Sequence, residues 1–293
     1  MPDLPAAAGL DGPAASLAAV DRRMRALAGD APGRLTPVAR AAADHLAAGG
    51  GRLRARLALS AASALGLEDA MAVSAAASVE LLHNASLVHD DLQDGDGTRR
   101  GAPAVWAAYG ADAAICTGDM LLSAAYAAAA PLVSGAPGTL GHIHAAVAGT
   151  IHGQIADRRT AAAPSEDVAG FARTARAKAG PFLALPLELP LMAAGRDDGL
   201  DSAAEAGRAF ALAYQIADDL ADRSADAPRD GANAVGVLSR ARGLSERAAR
   251  KAAAAMAGEA LAEARTAAAA LPDGAGAALT DPADALAARL ATE

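Results

Sequence analysis

The sequence predicts an all-α protein, and three of its features lead to that fold class. Hydrophobic residues make up 53% of the 293 residues, which is enough for a sizeable core. Ala and Leu dominate this fraction while aromatic residues contribute only 2%, a balance that favours close-packed helices over sheets. Gly/Pro clusters separate the Ala-rich stretches without the length or polarity of domain linkers. We therefore expect one domain over residues 1–293 with ten or more helices, in which residues 1–13 are a flexible tail.

Charge and cysteine content exclude several classes of protein. The net charge of -8 repels polyanions, so we expect no nucleic-acid partner, although local arginine clusters can still hold a small phosphate ligand. The single cysteine, Cys116, excludes an internal disulfide framework and a Cys-rich metal site. This cysteine usage agrees with a reducing cytosol, and we predict a cytoplasmic protein.

Neither a secretion signal nor a transmembrane segment is expected. The beginning of the chain, MPDLPAAAGLDGPAA, lacks a basic region followed by a long apolar one. The most apolar window, Pro181 to Gly195, is interrupted by Pro186, Glu188 and Pro190. That window is shorter than the roughly 20 apolar residues that a membrane-spanning helix needs.

The segment from Glu68 to Asp94 is the best-marked helix of the chain. Acidic residues stand at its start, and glycines follow its end. Within it, His83, Asp90 and Asp94 are spaced seven and four residues apart. At 100° per residue this spacing places the three side chains on one stripe of the helix.

A second helix, predicted from about Ser202 to Asp222, carries a similar polar stripe. Its members stand at i, i+3, i+4 and i+7, and they are Gln215, Asp218, Asp219 and Asp222. Acidic residues on one face repel one another unless a cation neutralises them, and carboxylate oxygens suit Mg²⁺ that also binds phosphate. The adjacent Arg99 and Arg100, which follow the first stripe, can meet phosphate with paired hydrogen bonds. Acidic and basic groups together indicate a diphosphate substrate.

A single DDxxD sequence is weak evidence, because a solvated helix end with compensating arginines has the same appearance. This chain contains two, DDLQD at 90–94 and DDLAD at 218–222, each at the end of an apolar helical stretch. Their repetition on two helices favours a functional pair of clusters over two coincidental helix ends.

These motifs resemble the trans-isoprenyl diphosphate synthase family over about residues 45–235. The stretch ELLHNASLVHDDLQDGDGTRRGAPAVW resembles the family's first Asp-rich region with its double arginine. The stretches GDMLLSAAY, HGQIAD and YQIADDLAD resemble its later signatures in the same order. The resemblance implies an antiparallel bundle of helices around a deep central cavity, a homodimer, and condensation of an allylic prenyl diphosphate with isopentenyl diphosphate.

The resemblance also implies a role for each matching residue. Three Mg²⁺ ions on the allylic diphosphate would be held by Asp90, Asp94 and Asp218, with Asp222 as a further ligand. Asp91 and Asp219 would support these carboxylates as catalytic residues. Lys178 would be a further catalytic residue. It would bind the allylic diphosphate, as would Arg99 and Gln215. The diphosphate of isopentenyl diphosphate would be received by Arg54, His83 and Arg100, and Arg52 is a further candidate for phosphate binding.

The sequence departs from the family pattern mainly on the isopentenyl side. The usual Gly-Gly-Lys-Arg-x-Arg-Pro loop reads Gly-Gly-Gly-Arg-Leu-Arg-Ala, so that Gly51 replaces the lysine. The lysine-rich stretch after the second Asp cluster is reduced to Arg223 and Arg229. Losing one charged phosphate contact costs on the order of 1.5 to 3 kcal/mol unless another cation, such as Arg52 or Arg229, replaces it.

These departures leave two alternatives beside the elongating enzyme. A terpene-cyclase-like lyase would keep the ionising metals and let the cation react internally. A non-catalytic partner subunit of a prenyl synthase would need neither substrate, although six carboxylates on two apolar helices argue against it. The positions before Asp90 bear on product length, because Ala85 and Ser86 stand where bulky residues stop short chains in the family. We therefore favour a product of C20 or longer.

Overall fold

The computed structural model describes residues 14–29, 36–161, 167–221 and 233–291. These residues form twelve α-helices and one short antiparallel hairpin, which confirms the all-α prediction. The helices are α1 (Ala14–Leu27), α2 (Pro37–Ala47), α3 (Leu53–Ala64), α4 (Asp69–Asp94), α5 (Val105–Tyr109), α6 (Ala111–Ala129), α7 (Thr139–Ala161), α8 (Val168–Ala193), α9 (Leu200–Ala221), α10 (Ala234–Arg242), α11 (Glu246–Ala269) and α12 (Thr280–Leu290). The hairpin strands are β1 (Thr98–Arg99) and β2 (Ala102–Pro103). Short 3₁₀ helices lie at Ala130–Ser134, Asp197–Gly199, Pro272–Gly274 and Ala277–Leu279.

The described chain divides into two compact units. The first unit comprises residues 14–143 and 189–197, and the second comprises residues 144–188 and 198–291. The prediction of a single domain over residues 1–293 stays a prediction.

The first unit is built around α4. This helix begins after its N-cap Glu68 and ends at Gly95, whose φ of 72° is the left-handed conformation that glycine adopts most readily. Sixteen of its 26 residues are buried, because α1, α3 and α6 all pack against it. The helix predicted between residues 68 and 94 is therefore present, and it is the core helix of its unit.

The second unit is built around the packing of α9 against α11, with α7 and α8 alongside. Glycines let the backbones approach closely in this unit. A Cβ atom added at Gly153 of α7 would lie 2.5 Å from the backbone nitrogen of Lys178 in α8. A Cβ atom at Gly207 of α9 would lie 2.4 Å from the nitrogen of Ala184, also in α8. The predicted second helix is confirmed as α9, which ends one residue before Asp222.

Among the described residues, two helical segments are long and apolar enough to cross a membrane by length and composition alone, α4 and Ala111–Ser134. The apolar window of α4 is 83% buried inside the protein, as the core helix of a globular unit would be. For Ala111–Ser134 the buried share is 44%. The window from Pro181 to Gly195, singled out from the sequence, is not one of these segments, and the expectation that no helix crosses a membrane stays a prediction.

Candidate active site

The first Asp cluster lies at the C-terminal end of α4, where the helix leaves the core. Asp90 is half-buried and Asp94 is exposed, while Asp91 is completely buried. The stripe predicted for His83, Asp90 and Asp94 therefore leads from the core to the protein surface. The two outer carboxylates have access to solvent and ligands, but the middle one does not.

Asp91 is held by an arginine that follows it in the sequence. The Arg99 guanidinium donates to Asp91 Oδ1 from Nε at 2.8 Å, with a second hydrogen bond from a terminal nitrogen. Burial raises the pKa of the Asp91 carboxyl above its usual range, and the charge and hydrogen bonds of Arg99 partly oppose this shift. Asp91 and Arg99 thus form an ion pair in which the carboxylate is buried and the guanidinium is partly exposed.

The two arginines of the hairpin that follows the cluster contact different partners. Thr98 pairs with Pro103 and Arg99 with Ala102, which leaves Arg100 and Gly101 as a two-residue turn. Both turn residues have positive φ, 53° for Arg100 and 77° for Gly101, as a type I′ turn requires. Arg99 points to Asp91 while the Arg100 Nη1 donates to the carbonyl oxygen of Gly49. A left-handed arginine is strained, and such strain is concentrated at functional sites.

A loop between α2 and α3 supplies the other side of this basic region. Gly50 has a φ of 124°, which favours glycine, and a Cβ atom added there would lie 2.5 Å from the Arg100 guanidinium carbon. Arg54 and His83 are both 7% exposed. Burial lowers the pKa of His83 well below its usual range, and the positive charges of Arg54 and Arg100 lower it further. The three residues predicted to receive isopentenyl diphosphate are thus brought into one electropositive cluster.

Arg52, which the sequence suggested as a phosphate-binding residue, is occupied by contacts within the protein. Its Nη2 donates to the carbonyl oxygen of Leu46 at 3.1 Å and lies 3.1 Å from the Asp21 carboxylate. Its Nη1 lies 3.8 Å from the carboxylate of the buried Glu80. Phosphate binding by Arg52 stays a prediction, and it would require the side chain to leave these contacts.

The second Asp cluster lies at the end of α9, in the second unit. Asp219 accepts hydrogen bonds from the side-chain amide of Gln215 at 2.9 Å and from the backbone N–H of Ala234 at 2.8 Å. Burial raises the pKa of Asp219 to about 7, because these neutral donors offset desolvation only in part. Burial likewise raises the pKa of Asp218 to about 6, although Arg289 of α12 lies 3.4 Å from it. Asp222, Arg223 and Arg229 lie outside the described residues.

Lys178 is paired with a carboxylate that sequence analysis did not assign. Its Nζ donates to Asp157 Oδ2 at 2.6 Å, and both side chains are half-buried. The close approach of α7 and α8 at Gly153, one turn before Asp157, brings the two residues together. The negative charge of Asp157 also contributes to the raised pKa of Asp219. Asp157 belongs to the HGQIAD stretch, so the motif contained the signal without indicating the partner.

A further contact explains the GDM stretch that begins at Gly118. A Cβ atom at Gly118 would lie 2.2 Å from Nε2 of His89, which precedes the first Asp cluster. The same Nε2 lies 3.5 Å from the Asp119 carboxylate. Gly118 and Asp119 therefore position the imidazole next to the cluster, a role that no spacing in the sequence reveals.

The carboxylates of both clusters are suited to divalent cations. Within the described ranges, no three His, Cys, Asp or Glu side chains already converge on a point that could hold a metal ion. The donor set nevertheless suits Mg²⁺, which accepts one or two carboxylates and completes its coordination with water and substrate phosphate oxygens. The raised pKa of Asp218 marks a carboxylate whose negative charge is only partly compensated, and a nearby cation would stabilise it.

Known proteins are similar to this chain at the level of family and fold. The model of the polyprenyl synthetase family matches residues 36–235, which is more than half of the chain. A geranylgeranyl pyrophosphate synthase from Geoglobus acetivorans is 33% identical over 171 residues, which cover 56% of this chain and 52% of that protein. A short chain isoprenyl diphosphate synthase from Methanothermobacter thermautotrophicus is 46% identical over 88 residues, 30% of this chain and 27% of the relative. The chain thus aligns with about half, or less, of the length of these curated relatives.

Solved structures are similar over almost the whole chain. The geranylgeranyl pyrophosphate synthetase of Geoglobus acetivorans superposes with a TM-score of 0.79 at 25% identity. The superposition covers 92% of this chain and 96% of that structure. The fold of the described residues is therefore that of the isoprenoid synthases.

Proposed function

The chain belongs to the polyprenyl synthetase family, and we propose that it condenses an allylic prenyl diphosphate with isopentenyl diphosphate to give a longer trans-prenyl diphosphate. The observation that carries this proposal is the pairing of two features in the first unit. The outer carboxylates of α4 stand on either side of Asp91, which is ion-paired with Arg99, and a separate cluster of Arg54, His83 and Arg100 lies at the glycine loop. Two sets of groups for two diphosphates suit a two-substrate reaction.

We assign the allylic diphosphate to the Asp clusters. Asp90 and Asp94 from α4, and Asp218 from α9, would be ligands of Mg²⁺, and three ions are expected with substrate bound. Magnesium, when bound, neutralises the negative charge that develops on the departing diphosphate. Asp91 and Asp219 support the outer carboxylates from within the helices. Asp222 would be a further ligand by its place in the motif.

Lys178, Arg99 and Gln215 would orient the same diphosphate by donating hydrogen bonds to its oxygens. Each of them donates to a carboxylate in the present structure, namely Asp157, Asp91 and Asp219. A diphosphate that enters with its cations can share these donors, since guanidinium, ammonium and amide groups each carry several N–H bonds.

We assign the second substrate to the cluster of Arg54, His83 and Arg100. The lowered pKa of His83 keeps its imidazole neutral at pH 7, so that one ring nitrogen donates a hydrogen bond and the other accepts one. The arginines provide the positive charge. The double bond of isopentenyl diphosphate then attacks the allylic cation, and the proton that is lost goes to the released diphosphate.

A product of C20 or longer is consistent with the residues before the first Asp cluster. Ala85 is small and buried, and the hydroxyl of Ser86 donates to the backbone carbonyl of His83 at 2.8 Å. Neither side chain fills space as an aromatic residue would. Relatives named as geranylgeranyl diphosphate synthases agree with this length, while others are named as farnesyl diphosphate synthases.

We further propose a cytoplasmic homodimer. Ile151 and Ile155 are exposed one turn apart on α7, with exposed fractions of 55% and 46%. Ile115 of α6 and Leu140 of α7 are also large, apolar and exposed. Exposed large apolar side chains, such as the pair one turn apart on α7, suit burial against a second copy of the chain.

The proposal is tested by incubating the purified protein with Mg²⁺ and farnesyl diphosphate, with and without isopentenyl diphosphate, and identifying the products by mass spectrometry. We expect elongated diphosphates only when isopentenyl diphosphate is present, and none from Asp90→Ala or Asp218→Ala. Hydrocarbons or alcohols formed without isopentenyl diphosphate would indicate a lyase instead. No turnover with geranyl, farnesyl or geranylgeranyl diphosphate would indicate a non-catalytic partner subunit.

A further inference from the structure

Two consecutive turns of α4 hold the two ends of the glycine loop that joins α2 to α3. Glu80 and Asn84 stand four residues apart and so lie on the same face of the helix. They are 2% and 0% exposed. Glu80 contacts the residues that follow the loop, and Asn84 contacts the residue that closes α2 before it. Neither residue is among the phosphate ligands or metal ligands proposed above.

Glu80 caps the first turn of α3 from a different helix. Its Oε1 accepts the backbone N–H of Ala55 at 3.0 Å, which is one of the orphan donors at a helix start. The residue that would normally cap α3 is Arg52, which has a left-handed φ of 50° and makes no side-chain cap. The other carboxylate oxygen of Glu80 lies 3.8 Å from this same arginine. One buried carboxylate therefore contacts Arg52, the residue before α3, and Ala55, the third residue of the helix.

Asn84 fixes the other end of the loop. Its Nδ2 donates to the carbonyl oxygen of Glu80 at 2.7 Å, so its Oδ1 is left to accept from Nε2 of His45 at 3.1 Å. His45 lies in the last turn of α2 and is 6% exposed. The amide of Asn84 thus joins α2 to the same helix that caps α3.

The loop between these two anchors has few side chains of its own, and Arg52 at its end donates to the carbonyl oxygen of Leu46. It contains three consecutive glycines, of which Gly49 and Gly50 have φ values of 80° and 124°. Glycine has more conformational freedom to lose than other residues, so a triglycine loop is costly to order unless its ends are fixed. The loop nevertheless follows the Arg100 guanidinium closely and leads directly into Arg54.

We propose that Glu80 and Asn84 form a clamp on α4 that positions the triglycine loop and Arg54 to bind the diphosphate of isopentenyl diphosphate. This inference rests on the proposed function and names two positioning residues for one of its substrates. Since Gly51 stands where the family pattern has a lysine, the site has lost a phosphate donor. Preorganisation of the remaining donors reduces the ordering cost of binding, and the clamp provides it.

The clamp is tested by steady-state kinetics on the full-length protein, in which each substrate is varied at saturation of the other. The variant Glu80→Ala removes both contacts of the carboxylate, whereas Glu80→Gln keeps an acceptor for the Ala55 N–H and loses the charge that faces Arg52. The variant Asn84→Leu releases His45. The control is Ser74→Ala, which is buried on the same helix but donates only to the carbonyl of Ala70 within that helix.

We expect Glu80→Ala to raise the KM for isopentenyl diphosphate by about tenfold or more, with the KM for farnesyl diphosphate and kcat within about threefold of the wild-type values. Glu80→Gln should recover much of that loss, and Ser74→Ala should leave all three constants unchanged. Hydrogen exchange followed by mass spectrometry should show faster exchange in residues 49–57 of Glu80→Ala, without faster exchange in α6.

Two results would overturn the clamp. One is an unchanged KM for isopentenyl diphosphate in a folded Glu80→Ala protein. The other is an equal rise of both KM values, which a general loss of structure would produce. If the wild-type protein itself does not elongate any primer, the proposed function fails, and the clamp loses its substrate. An active wild type with unaffected variants refutes the clamp alone.

Discussion

The two Asp clusters of this chain have the same motif, yet their middle carboxylates are stabilised by different means. Asp91 in the first cluster is fully buried against the Arg99 guanidinium. Within the part of the chain that the structure describes, Asp219 in the second cluster accepts hydrogen bonds from two neutral donors, the Gln215 amide and the Ala234 backbone. A buried carboxylate is stabilised either by an opposite charge or by several hydrogen-bond donors. Asp91 has the opposite charge of Arg99, and Asp219 has neutral hydrogen-bond donors.

The environments of these carboxylates suggest that the outer and middle residues of each motif have different roles. The outer residues, Asp90, Asp94 and Asp218, stand where ligands can reach them or where charge is incompletely compensated. The middle residues hold neighbouring segments, the Arg99 hairpin in one case and the start of α10 in the other. We therefore expect outer and middle substitutions to affect different properties of the protein.

The largest effect is expected from removing an outer carboxylate. Asp90→Asn and Asp218→Asn should each lower kcat/KM for elongation by about 10³-fold, because the Mg²⁺ that would neutralise the developing charge on the diphosphate would lose one of its ligands. For Asp218→Asn the free energy of unfolding, measured by urea denaturation, should change by less than about 1 kcal/mol, since the ion pair of Asp218 with Arg289 is 3.4 Å long and partly exposed. Activity close to that of the wild type in either variant would refute the metal-binding role.

The middle carboxylates should differ from each other in stability. Asp91→Asn removes the buried charge that faces Arg99 and leaves this arginine with the exposed Asp96 carboxylate at 3.6 Å, so we expect a loss of about 1 to 3 kcal/mol in unfolding free energy. Asp219→Asn keeps an oxygen for the Ala234 N–H and should cost less than about 1 kcal/mol. The control is Asp96→Asn, because this exposed carboxylate lies 3.6 Å from the same Arg99. Equal losses for Asp91→Asn and Asp219→Asn would remove the distinction between the two clusters.

The comparison extends to His45, which is buried and compensated by a neutral amide as Asp219 is. Burial, followed by the positive charge of Arg100, lowers the pKa of His45 to about 4. Its folded pKa lies below its unfolded value, so the stabilisation is complete above about pH 6.5 and is lost as the pH falls towards 4.

The wild type should therefore lose about 3 kcal/mol more unfolding free energy between pH 7 and pH 4 than His45→Gln does. Urea denaturation at the two pH values measures this difference. The exposed His152 provides the matched control, because His152→Gln should lose as much unfolding free energy between pH 7 and pH 4 as the wild type does. If His45→Gln also loses as much as the wild type, burial of a neutral His45 has no role in acid stability.

The smallest effect is expected at Arg289, the cation beside Asp218. This pair is partly exposed and 3.4 Å long, so Arg289→Gln should cost no more than about 1 kcal/mol of stability. The same change removes a positive charge that competes with divalent cations for Asp218. We expect the Mg²⁺ concentration for half-maximal elongation to fall by about two- to fivefold, whereas Arg265→Gln, whose partner is Asp284, should leave it unchanged. A rise in that concentration would mean that Arg289 assists metal binding.

The helices that carry the clusters could be predicted from the sequence because their signals are local. The 68–94 helix has acidic residues at its start and a glycine at its end, and the observed α4 differs from the prediction by one residue. Helix α9 could also be predicted, because its polar stripe repeats at helical spacing, although it begins at Leu200 and the prediction began at about Ser202. Prolines gave a less reliable signal, because α8 continues through Pro186 and Pro190 to Ala193.

The partners of the site residues could not be predicted, because they depend on contacts between distant segments. Lys178 and Asp157 are 21 residues apart, and Arg289 and Asp218 are 71 apart. Adjacent arginines suggested a joint phosphate site, but the left-handed turn at Arg100 sends Arg99 and Arg100 to different partners. The role of Arg52 depends on Asp21 and Glu80, which no motif connects to it.

Calorimetric titration of the protein with farnesyl thiolodiphosphate, an unreactive analogue of the allylic substrate, tests the different roles of the outer and middle residues most directly. In the presence of Mg²⁺ we predict that Asp219→Asn binds the analogue within about threefold of the wild-type affinity. Asp90→Asn and Asp218→Asn should bind it at least about 100-fold more weakly. Unchanged affinity in Asp90→Asn and Asp218→Asn, or a loss confined to Asp219→Asn, would contradict the account.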